Sequence, residues 1–162
     1  MKRGNMIRYL TISSIFAIVG FVIGLTTLPI EAEILLKTVD GLAWLILEVI
    51  NVLLIDFPMC LLAGLTFAHL HKDAKLRDGV ICGTLFLIVI IFLIFTAGQL
   101  FTITEPIKIA FGELKSFFGA KYVLIGLTFL IFDFGMCMLG GVLGIVVGSM
   151  IRRSGNYDRQ IR

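Results

Sequence analysis

The sequence predicts an all-helical integral membrane protein with four transmembrane helices, and two observations carry this prediction. First, 59% of the 162 residues are hydrophobic and only 15% are Asp, Glu, Lys or Arg, whereas soluble domains carry about 25% charged residues. Second, the chain contains four long, predominantly apolar segments: 9–30, 38–71, 79–104 and 122–151. A helix crosses the ~30 Å apolar core of a bilayer with about 20 residues, so all four segments are long enough.

The pattern within these segments favours helices over a β-barrel. A membrane barrel needs alternating polar and apolar residues, and residues 84–95, TLFLIVIIFLIF, do not alternate. The first segment follows a basic start, as in a signal peptide. It lacks an evident small-residue cleavage pattern, so we expect it to remain as a membrane helix.

Lys and Arg residues predict the orientation of the four helices. One side of the predicted bundle holds ten of them and the other side holds four. The ten are Lys2, Arg3, Arg8, Lys72, Lys75, Arg77, Arg152, Arg153, Arg159 and Arg162. The positive-inside rule then places both termini and the 69–78 loop in the cytoplasm, as expected for a multi-pass protein of the cell membrane. The net charge of +3 reflects these basic residues at the helix ends and is not spread like a nucleic-acid-binding patch. We therefore expect the lipid bilayer as a partner and no nucleic acid.

An internal repeat divides the chain into two hairpins, 1–77 and 78–162. Residues 54–65, LIDFPMCLLAGL, and residues 131–142, IFDFGMCMLGGV, are identical at six of twelve positions with an offset of 77. Each hairpin has two spans, so both insert the same way round, and a pseudo-twofold axis along the membrane normal is expected. Pro29 and Pro106 occupy equivalent positions and are predicted to begin short amphipathic segments on the outer surface.

The repeat places one aspartate near the middle of the bilayer in each hairpin. Asp56 lies twelve residues beyond Trp44, and Asp133 lies eleven residues beyond Tyr122, the two aromatic residues predicted to mark the outer interface. These spacings correspond to a depth of about 16–18 Å. A carboxylate at that depth costs free energy and commonly has a function, so Asp56 and Asp133 are the leading candidates for an ion or substrate site.

Neighbouring residues extend this candidate site in two ways. Glu48 and Asn51 lie outward of Asp56 and could continue a polar path to the outer surface. Pro58 lacks the N–H that would bond to a carbonyl one turn earlier, and a freed carbonyl beside a carboxylate is a plausible cation or proton ligand. Gly135, at the equivalent position, permits a similar bend.

Methionine and cysteine pairs follow both aspartates and raise a metal hypothesis. Met59, Cys60, Met136 and Cys137 fall on or beside the face of the aspartates. Soft ligands of this kind suit Cu(I), although Met and Cys are also common packing residues. The sequence identifies no cofactor. The three cysteines form no CxxC pair, which argues against a disulfide framework or a zinc ribbon.

Glycines predict close contact between helices. Gly140, Gly141, Gly144 and Gly148 form a stripe of small residues on the fourth helix, and Gly20 and Gly24 suggest the same role on the first.

Three functional hypotheses remain open on the sequence alone. The first is a small ion- or proton-coupled transport or conducting protein, or a subunit of one. The second is a non-catalytic structural or anchor subunit, in a homo-oligomer or with other membrane subunits, in which the aspartates pair with a partner's cation or with each other. The third is a membrane metalloprotein. A catalytic triad, a phosphate-binding loop and a histidine-rich cluster are all missing from the sequence, so an enzyme is the least expected class.

Overall fold

A computed structural model of the chain describes residues 3–37, 46, 49–101 and 120–161, and these residues are almost entirely helical. Helix α1 spans Arg3–Lys37. The second helix consists of a π-helical turn, Val52–Asp56, followed by α2, Phe57–Leu70. Helices α3 and α4 span Leu76–Phe101 and Ala120–Ile161.

Four segments within these helices have the length and composition of membrane spans, which is consistent with the predicted class of multi-pass helical membrane protein. They are Met6–Thr27, Val49–Leu70, Leu76–Ile94 and Leu130–Ser154. Their outward surfaces are rich in exposed apolar side chains such as Ile15, Phe92 and Ile131, as expected for helix surfaces that face lipid.

The four helices form a bundle in which α4 packs against both α2 and α3, while α1 packs mainly against α3 and also against α2. Glycines on α4 meet successive turns of α2 in the same chain direction, so these two helices are parallel. Gly79 and Gly83 of α3 meet α4 in the opposite order. Cys60, Phe86 and Cys137 belong to one buried cluster between these helices.

The predicted glycine stripe forms the closest helix contact in the bundle. A methyl group added at Gly144 would overlap the carbonyl oxygen of Leu61, and one at Gly64 would overlap the carbonyl oxygen of Gly141. Backbones approach this closely only where side chains are absent, as in membrane helix pairs with small interfacial residues. Gly20 also makes a packing contact, whereas a methyl group added at Gly24 has no neighbour within 4 Å among the described residues, so the packing role of Gly24 stays a prediction.

The outer segments differ from the prediction where the structure describes them. We expected a separate helix to begin at Pro29, but α1 continues without a break to Lys37, over 35 residues. A proline removes one backbone hydrogen bond, yet membrane helices tolerate this loss better than they tolerate ending in lipid. The second predicted outer segment, 106–118, lies outside the described residues.

The contacts between the hairpins follow the repeat for one helix pair only. In the α2–α4 pair, Gly64 lies against Gly141 at the offset of 77. In the α1–α3 pair, Tyr9 meets Asp78 and Ser13 meets Cys82, both at an offset of 69. This difference of eight residues corresponds to about 12 Å along the helix axis, so α1 and α3 do not have the register that a pure rotation about the membrane normal would give.

Candidate functional site

The helix carrying Asp56 is distorted at the aspartate itself. The N–H of Phe57 bonds to the carbonyl of Val52, five residues back, at the end of the π-helical turn. The carbonyl of Leu53 thereby loses its regular α-helical donor, and Pro58 has no N–H to offer the carbonyl of Leu54. The sequence predicted a disturbed helix at this position, and π-turns are frequent at functional sites.

The equivalent position on α4 is not distorted. Gly135 lies within a continuous α-helix, and a methyl group added there would have no neighbour within 4 Å in the described part of the chain. Glycine keeps its N–H, so the backbone ladder survives. The two copies of the motif are therefore different sites in backbone structure, although their side chains are nearly identical.

Two buried cysteines, Cys60 and Cys137, connect the two copies of the motif through the interior of the bundle. The Cys137 thiol donates a hydrogen bond to Oδ1 of Asp133 at 3.3 Å. Cys137 also belongs to the same buried cluster as Cys60 of α2, and Cys60 lies one helical turn after Asp56. Both cysteines are fully buried, whereas both aspartates are half-buried. The structure therefore brings Asp56, Cys60, Asp133 and Cys137 into one neighbourhood between α2 and α4.

The other predicted site residues are placed differently. Met59 lies against Gly20 of α1, and Met136 is half-buried on α4. Asn51 is half-buried immediately before the π-turn, where it can extend the site outward. Glu48 lies outside the described residues. Among the described side chains, no group of three or more His, Cys, Asp or Glu residues is arranged to hold a metal ion.

A second buried polar cluster, which the sequence did not predict, lies at the end of the bundle where α1 begins and α2 ends. Tyr9 donates a hydrogen bond of 2.8 Å to Oδ1 of Asp78, which is only 6% exposed. Oδ2 of Asp78 accepts the N–H of Lys75 at 2.7 Å and so caps the start of α3. The Tyr9 ring also stacks on Phe67 of α2 at 4.4 Å. One carboxylate thus joins α1 to α3 and completes the helix terminus.

Arg152 makes the corresponding connection between α4 and the end of α2. Its guanidinium donates to the carbonyl oxygens of Ala68, His71 and Lys72 at 2.7, 2.9 and 2.8 Å. The last carbonyls of a helix have no helical donor, and the helix dipole there favours a cation. The His71 carbonyl, in the turn after α2, also accepts the N–H of Ala74 at 3.3 Å. In the sequence, Arg152 and Arg153 at the end of an apolar helix predict only the orientation of the chain in the membrane. They do not predict this contact with the end of α2.

Comparison of the chain with models of known protein families, with characterised proteins and with solved structures gives no match.

Proposed function

We propose that this protein binds and conducts or transports a small cation or a proton at a site formed by Asp56 and Asp133. One observation carries the proposal: the Cys137 thiol bonds to Asp133, and Cys137 shares a buried cluster with Cys60, which lies one helical turn from Asp56 on another span. Ionisable groups in the interior of a membrane bundle are costly and commonly mark ion pathways.

The backbone beside Asp56 supports this role. The carbonyls of Leu53 and Leu54 lack their regular helical donors in the π-turn, and carbonyl oxygens in interrupted membrane helices are known ligands for cations. A site with two carboxylates and irregular backbone can hold one positive charge and release it when either carboxylate changes its protonation state. Asn51 lies on the outward side and would supply a further polar contact.

The proposal also includes the origin of the two hairpins by duplication and the orientation of the chain in the membrane. The two hairpins, 1–77 and 78–162, would derive from one ancestral unit and insert in parallel, with the pseudo-twofold relation retained between α2 and α4. The repeated motif at an offset of 77 supports this history. The contacts of Arg152 with Lys72 and of Tyr9 with Asp78 bring the basic ends of the helices together, and the positive-inside rule favours the cytoplasm of the cell membrane for this end.

The orientation is tested by labelling single introduced cysteines with a membrane-impermeant thiol reagent. We expect Ser154→Cys to react from the cytoplasmic side and Ser116→Cys from the outside, because ten of the fourteen Lys and Arg residues lie on the proposed inner side. Native cysteines are buried and provide the unlabelled background. Reaction of position 116 from the cytoplasm would reverse the assignment.

The proposed ion site is tested in liposomes with imposed proton, sodium and potassium gradients. We expect Asp56→Asn and Asp133→Asn each to lower the coupled flux by about tenfold or more, because a charge at the bilayer centre is worth several kcal/mol. Asp73→Asn removes the same charge from an exposed position in the loop between α2 and α3 and should leave the flux unchanged. Wild-type flux in both site variants, with the fold retained, would contradict the proposal.

A second candidate function is a structural subunit of a larger membrane complex. Asp133 is only half-buried, and the side chains of Ile131, Phe132 and Phe134 around it are exposed. In lipid, such a carboxylate could be satisfied by a cation from a second copy or another subunit. Loss of an oligomer or co-purifying partner in Asp133→Asn, together with unchanged flux, would favour this function.

A further inference from the structure

The second helix changes its hydrogen-bond ladder at the aspartate site. The N–H of Phe57 bonds to the carbonyl of Val52, five residues back, whereas the α-helical acceptor four residues back would be the carbonyl of Leu53. Both ends of the turn keep ordinary helical angles, with φ −60° and ψ −47° at Asn51 and φ −61° and ψ −49° at Phe57. A change of acceptor at Phe57 therefore needs only small backbone rotations.

The part of this helix after the turn is fixed to α4 along its whole length. A methyl group added at Gly140 would overlap the carbonyl oxygen of Phe57, and one added at Gly148 would overlap the side chain of Ala68. The guanidinium of Arg152 then holds the carbonyl oxygens at the end of α2. Helices in such close contact move as one body, because tightly packed interfaces do not deform continuously.

The part before Phe57 is attached less closely to α4 in the portion of the chain that the structure describes. Gly135 precedes Gly140 by five residues and lies about 7 Å further along α4, and a methyl group added there meets none of the described residues within 4 Å. On the second helix, the side chains of Ile50, Leu53 and Leu54 are exposed. The described contacts therefore allow the outer part to rotate about its axis while α2 stays in place.

We propose that the π-turn is a hinge that couples cation binding to the outer access of the aspartate site. In the π-form, which the structure shows, Phe57 bonds to Val52, and the carbonyl of Leu53 remains available to a cation beside Asp56. In the alternative α-form, Phe57 bonds to Leu53 and the second helix is α-helical throughout. The hinge rests on the proposed function, since it regulates the same site.

The two forms differ in the face that the outer part presents to the site. The change from the π-form to the α-form shifts the ladder by one residue, which rotates the preceding segment by about 100° and moves it by about 1.5 Å along the axis. Each outer residue then occupies the position of the residue before it. Val52 takes the place of Asn51, and Asn51 moves to the exposed position of Ile50. An apolar side chain thus replaces the polar one outward of Asp56 and closes the path.

Cation binding and the π-form favour each other, since the Leu53 carbonyl is a ligand only while Phe57 does not bond to it. A cation that binds the π-form raises its population, and loss of the cation favours the α-form. Pro58 is essential to this coupling because it offers no N–H to the carbonyls of Leu53 or Leu54. The Leu53 carbonyl is therefore left to Phe57 or to the cation.

The hinge is tested by distances between paired spin labels, measured by double electron–electron resonance in liposomes. The outer pair is Ile50→Cys with Leu130→Cys, and the control pair on the fixed parts of the same two helices is Leu62→Cys with Leu139→Cys. All four positions are exposed, and the native cysteines are buried. Sodium, potassium and protons are each raised in turn against a choline background. We expect the ion that the protein transports to change the outer distance by about 5 Å or more and to leave the control distance unchanged.

Deletion of Leu54 removes the additional residue of the turn and leaves the outer part in its present orientation. Leu54 is 71% exposed, so its loss removes little packing. The shortened helix is regular in this orientation and has no second form to adopt. We expect its outer distance to be the same with and without the ion, and its coupled flux to be lost.

The outcomes separate the hinge from the proposed function. A constant outer distance in a wild-type protein that transports one of the ions overturns the hinge, and the aspartate site stands provided that Asp133→Asn still lowers the flux. Equal changes in both pairs also overturn the hinge, because the second helix would then move as one body. An outer distance that still responds to the ion after deletion of Leu54 places the movement outside the turn. If the wild-type protein moves none of the three ions, the proposed function fails and the hinge fails with it.

Discussion

Gly144→Leu should prevent the native association of α2 with α4, with a loss of about 3 kcal/mol or more in the free energy of unfolding. The reason is that the space beside Gly144 is occupied by backbone. A single methyl group there would already overlap the Leu61 carbonyl oxygen and crowd the backbone of Leu65. A backbone in a helix cannot rotate away as a flexible side chain can, so the two helices must separate over several turns. The measurement is the midpoint of thermal unfolding in detergent, together with helix content by circular dichroism.

The control for this prediction is Gly135→Ala on the same helix. A methyl group added at Gly135 meets none of the described residues within 4 Å, and alanine is favoured over glycine within helices by about 0.5–1 kcal/mol. Gly135→Ala should therefore leave the midpoint unchanged or raise it slightly. A Gly144→Leu protein that unfolds at the wild-type midpoint would show that α2 and α4 are not in this contact.

The parts of the fold that the sequence predicted depend on local composition and spacing. Four apolar segments predict four spans because the bilayer sets a minimum length for each. The glycine stripe predicts the α2–α4 contact because close approach requires small residues at helical spacing. Pro58 predicts a disturbed helix because the missing N–H is a property of one residue, and the structure places a π-turn immediately before it.

The polar contacts at the inner end could not be predicted in the same way. Tyr9 and Asp78 are 69 residues apart, and Arg152 lies 84 residues from Ala68. Pairing at such distances depends on how the helices are arranged around the bundle, and no periodicity encodes that arrangement. A local signal for Asp78 did exist, since a carboxylate three residues after Lys75 at the start of an apolar helix is typical of a capping residue.

The candidate site was predicted in part for the same reason. The predicted depth of Asp56 and Asp133 in the bilayer and their place in the sequence repeat follow from spacing along the chain. The proximity of Cys60 and Cys137 depends on how two helices pack, so the spacing does not predict it. The register of the α1–α3 pair also departs from the register of the sequence repeat. Once two copies of a hairpin are joined in one chain, each helix packs against different neighbours, and its axial position is free to change.

Arg152→Ala should lower the free energy of unfolding by about 2–4 kcal/mol, since hydrogen bonds from a charged group contribute about 1.5–3 kcal/mol each and are not additive. The side chain donates to three carbonyl oxygens at the end of α2. Its removal takes a donor from each of these carbonyls, of which that of His71 keeps the N–H of Ala74, and removes a cation from the negative end of the helix dipole. Alanine also breaks the polar connection between α4 and the loop that begins α3.

Arg153→Ala is the matched control, because Arg153 carries the same charge at the next position and is exposed. Exposed charges contribute little to stability, so this variant should unfold close to the wild-type midpoint, and both variants change the net charge equally. Arg152→Lys should lie between them, since an ammonium group cannot reproduce the spread of a guanidinium over three carbonyls. Equal effects of Arg152→Ala and Arg153→Ala would mean that charge at the membrane surface, and not the cap on α2, accounts for the stability.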